Sequence, residues 1–303
     1  MEPTELRSKL SGVIAFPITP FKSDLSLDVD VEGLQENLAK LLVHPICAIV
    51  AAGGTGEMYS LTPAEHLEVI KTTVAATQGR VPVIAGVGFN QQLATETARV
   101  AADAGADGIL AFPPYYPQAD DEGMLAYYRA IGDATRLGLF IYSRDWATFS
   151  PAMVERLTSI PTLIAWKDGQ GDVRRYQAII NRVGDRLHWI GGAGDDMVAA
   201  YYSIGIRTYT SSIATVAPRL SLRLHELAAN GCYDELTSLM NDCVIPLYAI
   251  RARRKGYEVS TMKALMDMAG LHGGPVRPPL VDVTAAEKEE LRTILETWRP
   301  FLD

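Results

Sequence analysis

Thr162-Leu163-Ile164-Ala165-Trp166-Lys167 is a short apolar run that ends on a charge. It has no polar alternation and is too short for a buried helix, so it reads as a parallel strand covered on both faces. Seven more runs of this kind recur along the first two-thirds of the chain: 13–18 (VIAFPI), 46–51 (ICAIVA), 81–86 (VPVIAG), 107–112 (DGILAF), 137–142 (LGLFIY), 187–191 (LHWIG) and 206–211 (IRTYTS). Between most of them lie segments with helical spacing. In 63–77, Leu67, Ile70 and Val74 recur at three- and four-residue intervals, behind a start in which Thr62, Pro63 and Glu65 make a capping box. A second helix is predicted from about 91 to 104, ended by Gly105. Eight strands, mostly separated by single helices, predict the α/β class and a (β/α)8 TIM barrel over 1–231. A doubly wound sheet is the runner-up, but no GxGxxG follows a strand and GxxxxGK[ST] is absent. From 232 to 303 the pattern is wholly helical (233–254, 259–269 and 285–298), which predicts a C-terminal helical region.

The 303 residues carry 28 basic and 36 acidic side chains, a formal net charge of −8, which argues against nucleic acid or an anionic membrane as a partner. With 48% hydrophobic and 21% charged residues the chain is not a disordered one. No segment approaches the roughly 20 apolar residues needed to span a bilayer. Residues 1–10 carry four charged side chains and no apolar run, so neither a signal peptide nor an anchor is expected. Cys47, Cys232 and Cys243 lack CxxC spacing and are odd in number, which points to a reducing, cytoplasmic compartment. Five histidines show no HxxxH or HxH pairing, so no metal ligand set is evident.

In a barrel of this kind, chemistry sits at the C-terminal ends of the strands. Lys167 is one of only eight lysines and terminates a buried apolar strand. Desolvation there would lower its pKa and free an amine that can attack a ketone; the plainer alternative is a lysine that snorkels to water or pairs with Asp168. Tyr142 ends the preceding strand and could move protons beside that lysine, or be an ordinary buried phenol. Gly53-Gly54-Thr55-Gly56 is a turn whose amides suit a carboxylate or phosphate, although tight βα turns are common. Arg144 could clamp a second carboxylate, helped by Ser143 and by Ser211 or Ser212, or could merely pair with Asp145.

Together these residues resemble the dihydrodipicolinate synthase/N-acetylneuraminate lyase superfamily over nearly the whole chain. Its Gly-[Ser/Thr]-Thr-Gly-Glu pattern is similar to Gly53-Gly54-Thr55-Gly56-Glu57, with Gly54 in place of the hydroxyl residue. Its strand-end Tyr matches Tyr142, and its Lys-Asp matches Lys167-Asp168. Within the superfamily, four strand ends look like the 5-dehydro-4-deoxyglucarate dehydratase group: Ala51-Ala52-Gly53-Gly54-Thr55-Gly56-Glu57, Ile141-Tyr142-Ser143-Arg144-Asp145, Lys167-Asp168-Gly169-Gln170-Gly171-Asp172 and Tyr209-Thr210-Ser211-Ser212. Ser143 stands where that group usually has Asn, Trp146 replaces another Asn, and Tyr116 is more like the synthases.

The resemblance implies a Schiff base between Lys167 and a 2-oxo acid, with Tyr142 as proton shuttle and no external cofactor. It implies that Gly53, Gly54 and Thr55 hold the carboxylate next to the ketone, with Ser143, Arg144, Ser211, Ser212 and Tyr116 binding the rest of the substrate. The expected partners are a small 2-oxo sugar acid and further copies of the chain, as a tetramer or dimer. The expected reaction is dehydration and decarboxylation of 5-dehydro-4-deoxyglucarate to 2,5-dioxopentanoate. The rivals are another class I 2-oxo acid aldolase or synthase with the same lysine, and a barrel retained only for ligand binding.

Overall fold

Each of the eight apolar runs forms a strand in the computed structural model, which describes residues 1–24, 26–115 and 118–302. They are β1 (Gly12–Ala15), β2 (Ala48–Ala51), β3 (Val83–Phe89), β4 (Gly108–Pro114), β5 (Gly138–Ser143), β6 (Leu163–Asp168), β7 (His188–Gly191) and β8 (Thr208–Ser211). All pair in parallel in chain order, and β8 returns to β1, which closes the sheet and leaves no edge. The expected (β/α)8 barrel is the observed fold.

The helices before and between the strands are α1 (Pro3–Lys9), α2 (Val31–Leu41), α3 (Pro63–Thr77), α4 (Gln91–Asp103), α5 (Asp121–Ala134), α6 (Pro151–Leu157), α7 (Val173–Val183) and α8 (Val198–Ser203), with α9 (Pro218–Ala229) following β8. The capping box read at the start of α3 is present: the Glu65 N–H donates to Thr62 Oγ1, and the Thr62 N–H donates to Glu65 Oε2. α4 stops at Gly105, whose φ of +93° only glycine adopts without strain.

Alternation along each strand sorts side chains into two cores. Ile14, Phe16, Val50, Ile84, Leu110, Phe112, Phe140, Tyr142 and Ile190 fill the barrel lumen. Their neighbours Val13, Ala15, Ile49, Ala51, Ile141 and Trp166 face the helices. The sequence reading gave 1–10 no helix, yet α1 inserts Leu6, with Leu10 behind it, into the lumen core from below.

After residue 231 the chain forms α10 (Tyr233–Leu239), α11 (Ile245–Arg251), α12 (Tyr257–Met268) and α13 (Ala285–Trp298). The single helix expected over 233–254 is interrupted by a π-turn over Met240–Val244. Pro246 lies at the start of α11 and has no N–H to offer the preceding turn, so the helical ladder is reset there. These helices share the barrel's outer core through Leu247, Tyr257, Met262, Leu265 and Trp298. No helix of the described residues is long and apolar enough to cross a membrane.

Candidate active site

The C-terminal ends of the strands open into a cavity of about 770 Å³. Lys167 and Tyr142 face it from neighbouring strands, where they are direct partners in the parallel register. Because side chains alternate, Phe140 and Tyr142 share the lumen face with Ala165 and Lys167, while Trp166 turns outward. The Lys167 side chain is 3% exposed. Its Nζ donates to the Gly192 carbonyl at 2.8 Å and stands 3.3 Å from the Tyr142 ring centroid. Burial drives this amine well below the ordinary lysine value, the Arg144 charge adds to the effect, and Asp168 opposes it.

Gly192 is a functional position that sequence reasoning missed. Its carbonyl accepts from Lys167 and, at 3.4 Å, from the Tyr142 hydroxyl. A Cβ here would lie 2.4 Å from Lys167 Cγ and 2.6 Å from its Nζ, so any larger residue would evict the lysine from its seat. The available signal was Gly191-Gly192-Ala193-Gly194, a glycine-rich end to the seventh run like the one after the second.

Burial raises the Tyr142 phenol above its usual value, and the Arg144 charge pulls it partly back. Phe112 packs edge-on against the ring at 5.4 Å, and the Arg144 guanidinium lies 5.3 Å from its centroid. The phenol therefore keeps its proton at neutral pH and can donate it.

Gly54 and Thr55 line the cavity, whereas Gly53 packs under Phe16 and does not reach it. The Thr55 hydroxyl donates to the Phe16 carbonyl at 3.0 Å, tying the loop to the end of β1. Among the described residues the Gly54 and Thr55 N–H groups have no acceptor, so both remain for an anion. A Cβ on Gly54 would lie 3.3 Å from Arg144 Nη1, so the glycine gives the guanidinium its place beside the loop. Arg144 Nε donates to Asp145 Oδ2 at 2.8 Å. Ala52, Glu57, Phe89 and Asp145 all have φ between +50° and +74°, so backbone strain is concentrated at this mouth.

Glu57 ends the loop below the surface. It is fully buried and paired with Lys263 of α12 at 2.7 Å. Lys263 Nζ also donates to the Pro275 carbonyl and stands over the Phe21 ring. Nearby, Arg277 donates to the Ser60 carbonyl at 2.8 Å and to Glu65 Oε2 at 3.0 Å. Helix α12 and the segment that joins it to α13 thus fasten the loop that carries Gly54 and Thr55.

The serines are placed differently from expectation. Ser143 donates to the Ala147 carbonyl at 3.0 Å and lies outside the cavity lining, because its strand position points away from the lumen. Ser211 touches the cavity, but its hydroxyl donates to the buried Asp195 carboxylate, lies 2.8 Å from Ser221 Oγ and accepts from the Ala214 N–H. Ser212 lines the cavity and accepts from Arg251 at 3.0 Å. Tyr116 lies outside the described residues. Asp168 faces outward, accepting from the Tyr201 hydroxyl at 2.7 Å and from the Gly171 N–H at 3.1 Å, which holds the turn after β6.

Tyr248, Arg251 and Glu258, from α11 and α12, form a cavity wall that no local sequence pattern announced. Asp195 is buried beside it, and burial pushes its carboxyl up to about 6. Tyr248 braces Asp195 by accepting from its N–H at 2.7 Å. Among the described residues, no group of three or more His, Cys, Asp and Glu side chains is arranged to hold a metal ion.

Whole-chain comparison with known proteins gives consistent matches. The Dihydrodipicolinate synthetase family profile matches residues 9–298. A Bradyrhizobium sp. protein named a probable 5-dehydro-4-deoxyglucarate dehydratase is 39% identical over 300 residues, covering 98% of this chain and 95% of its own. A protein of the same name from Methylobacterium radiotolerans is 40% identical over 299 residues, covering 97% and 98%. Among solved structures, a dihydrodipicolinate synthase from Oceanobacillus iheyensis superposes with a TM-score of 0.92 at 28% identity, covering 99% of this chain and all of the other.

Proposed function

The chain belongs to the Dihydrodipicolinate synthetase family, and on that premise we propose that it is a Schiff-base lyase converting 5-dehydro-4-deoxyglucarate to 2,5-dioxopentanoate, water and CO2. The observation that carries the reading is the Lys167 amine, buried to 3% exposure, held by Gly192 and set against Tyr142 at the end of β6. The relatives at 37–40% identity that bear the dehydratase name supply the substrate.

The neutral Lys167 amine adds to the substrate ketone, and loss of water leaves an iminium. The adjacent carboxylate sits on the Gly54 and Thr55 N–H groups, whose donors have no other acceptor among the described residues. Tyr142 protonates the departing hydroxyl of the carbinolamine. Removal of the adjacent carbon's proton gives an enamine, which expels the β-hydroxyl as water. The remaining double bond is conjugated to the iminium, so the electrons of the distal carboxylate's C–C bond can flow to nitrogen as CO2 leaves. Protonation and hydrolysis then return the amine and release the product. Tyr142, left as the phenolate once it has protonated the carbinolamine hydroxyl, takes the carbon-bound proton; the iminium nitrogen of Lys167 has no free electron pair and serves only as the electron sink.

We assign the protein to the cytoplasm, as its three free thiols support, and to a homo-oligomer, dimer or tetramer. Light scattering checks the assembly. The test of function is incubation with the six-carbon diacid, following CO2 and 2,5-dioxopentanoate. Formation of pyruvate from a 2-oxo sugar acid without CO2 would overturn the dehydratase reading in favour of an aldolase.

A further inference from the structure

Among the described residues three cationic side chains line the cavity: Lys167, Arg144 and Arg251. Two already have positions in the reaction centre. Lys167 carries the amine. Arg144 lies against the Tyr142 ring and Gly54, with Nε bound to Asp145, so its charge acts on the lysine side of the cavity.

Arg251 is different. It ends α11 and reaches across to the loop after β8, where Nη2 donates to Ser212 Oγ at 3.0 Å. Its guanidinium is stacked 4.8 Å from the Tyr248 ring centroid, and Nε makes only a long contact, 3.4 Å, to Thr261 Oγ1. Among the described residues no carboxylate forms an ion pair with it. The acids that feel its charge are Asp195 and Asp196, and Asp195 is already engaged by Ser211 and Tyr248. Glu258, the other acid on this wall, acts on Arg144 and Tyr59. A guanidinium has five N–H donors. Here they meet only neutral hydroxyls, while stacking fixes the plane and so lowers the entropy lost when an anion binds in bidentate fashion.

We propose that Arg251, held in register by Ser212 and Tyr248, binds the substrate carboxylate remote from the ketone and so makes the site select 2-oxo diacids over 2-oxo monoacids. The proposal rests on the diacid reading above. It moves the second-carboxylate role from Arg144, whose Nε is held by Asp145 beside Tyr142, to an arginine contributed by the C-terminal helices.

The test uses adduct formation in place of turnover, so that it is separable from the function proposal. The intact protein is reduced with cyanoborohydride in the presence of 2-oxoadipate or 2-oxohexanoate, which match in length and differ in the second acid, and the mass gain is titrated. Arg251→Gln should raise the half-saturating 2-oxoadipate concentration on the order of 10–100-fold, the usual value of hydrogen bonds to a charged group. The 2-oxohexanoate value should move less than about twofold, since it has no second charge to lose. Arg251→Lys, which keeps the charge without the fork, should lie between and remains informative if the glutamine variant folds poorly. Equal shifts for both acids, or no shift for either, would overturn the proposal. A wild-type protein that traps 2-oxoadipate but releases no CO2 from the six-carbon hydroxy diacid would overturn the function reading alone.

Discussion

Lys167 Nζ lies over the face of the Tyr142 ring, 3.3 Å from its centroid, and the two side chains leave register-paired positions of β5 and β6. The proposed nucleophile and proton donor are thus set by one register pair of the sheet rather than by loops. A one-residue change of strand register would turn one of them out of the lumen.

Replacing Lys167 tests the covalent step. Lys167→Arg and Lys167→Met should both lose the mass gain on reduction with pyruvate, because a guanidinium stays protonated and a thioether cannot form an imine. A retained adduct would move the chemistry to another lysine. Lys167→Met should also be more stable than the wild type at neutral pH. The folded-state pKa is lowered from 10.5, so below that value the unfolded chain binds the proton more readily. Wild-type stability therefore rises with pH towards 10.5, and the gap between the two proteins should narrow on the same path. Thermal unfolding at pH 7 and pH 9.5 measures it.

Tyr142→Phe keeps the ring beneath the lysine and removes only the hydroxyl that points to Gly192. Turnover should fall by roughly 10²–10⁴-fold, the usual contribution of a positioned acid–base group. The pyruvate adduct should still form to completion, more slowly. Unchanged turnover would reduce Tyr142 to a wall of the cavity.

Asp195→Asn bears on pH. The folded-state carboxyl is raised from 3.8 to about 6, so between these values the native protein holds a proton that the unfolded chain has released. Stability is lost as pH rises through that window, and the cost, roughly 3 kcal/mol, is complete above it. Asparagine should recover part of this at pH 7.5 and nothing at pH 4, provided Ser211 and Tyr248 still find an acceptor. Chemical denaturation at the two values decides it; equal effects at both would show that the gain is not proton-linked.

Lys263→Met leaves Glu57 fully buried without its cation, which should cost about 3–5 kcal/mol. Adding Glu57→Gln should restore much of that loss. The double variant should retain a higher KM than the wild type, because the Gly54–Thr55 loop has lost a tether. Full recovery of KM would show that the pair serves stability alone.

The strand ends were legible because a parallel strand covered on both faces is a run of apolar residues, and its first polar residue marks the mouth. Lys167, Tyr142, Gly54 and Thr55 were singled out in that way, and all four line the cavity. The loss of Ser143 follows from the alternation that admits Tyr142: the next residue on the strand must point away. Gly192 hid because its part is played by a carbonyl and by a missing Cβ. Arg251 and Tyr248 are separated from the strand ends by a long stretch of helix, and only tertiary packing brings them to the cavity. The break near Pro246 was written in the sequence, yet helical periodicity on both sides concealed it.

The fastening of the glycine loop by Lys263 and Arg277 has a temporal side. Ribosomes deliver the chain from its N-terminus at ~5–20 residues per second, and early segments can fold before late ones exist. All eight strands precede residue 212, so Lys167 and every barrel strand are translated before Arg251, Lys263 and Arg277. The newborn enzyme would hold a reactive amine before it holds the means to choose a substrate, and specificity would be the last property to be translated.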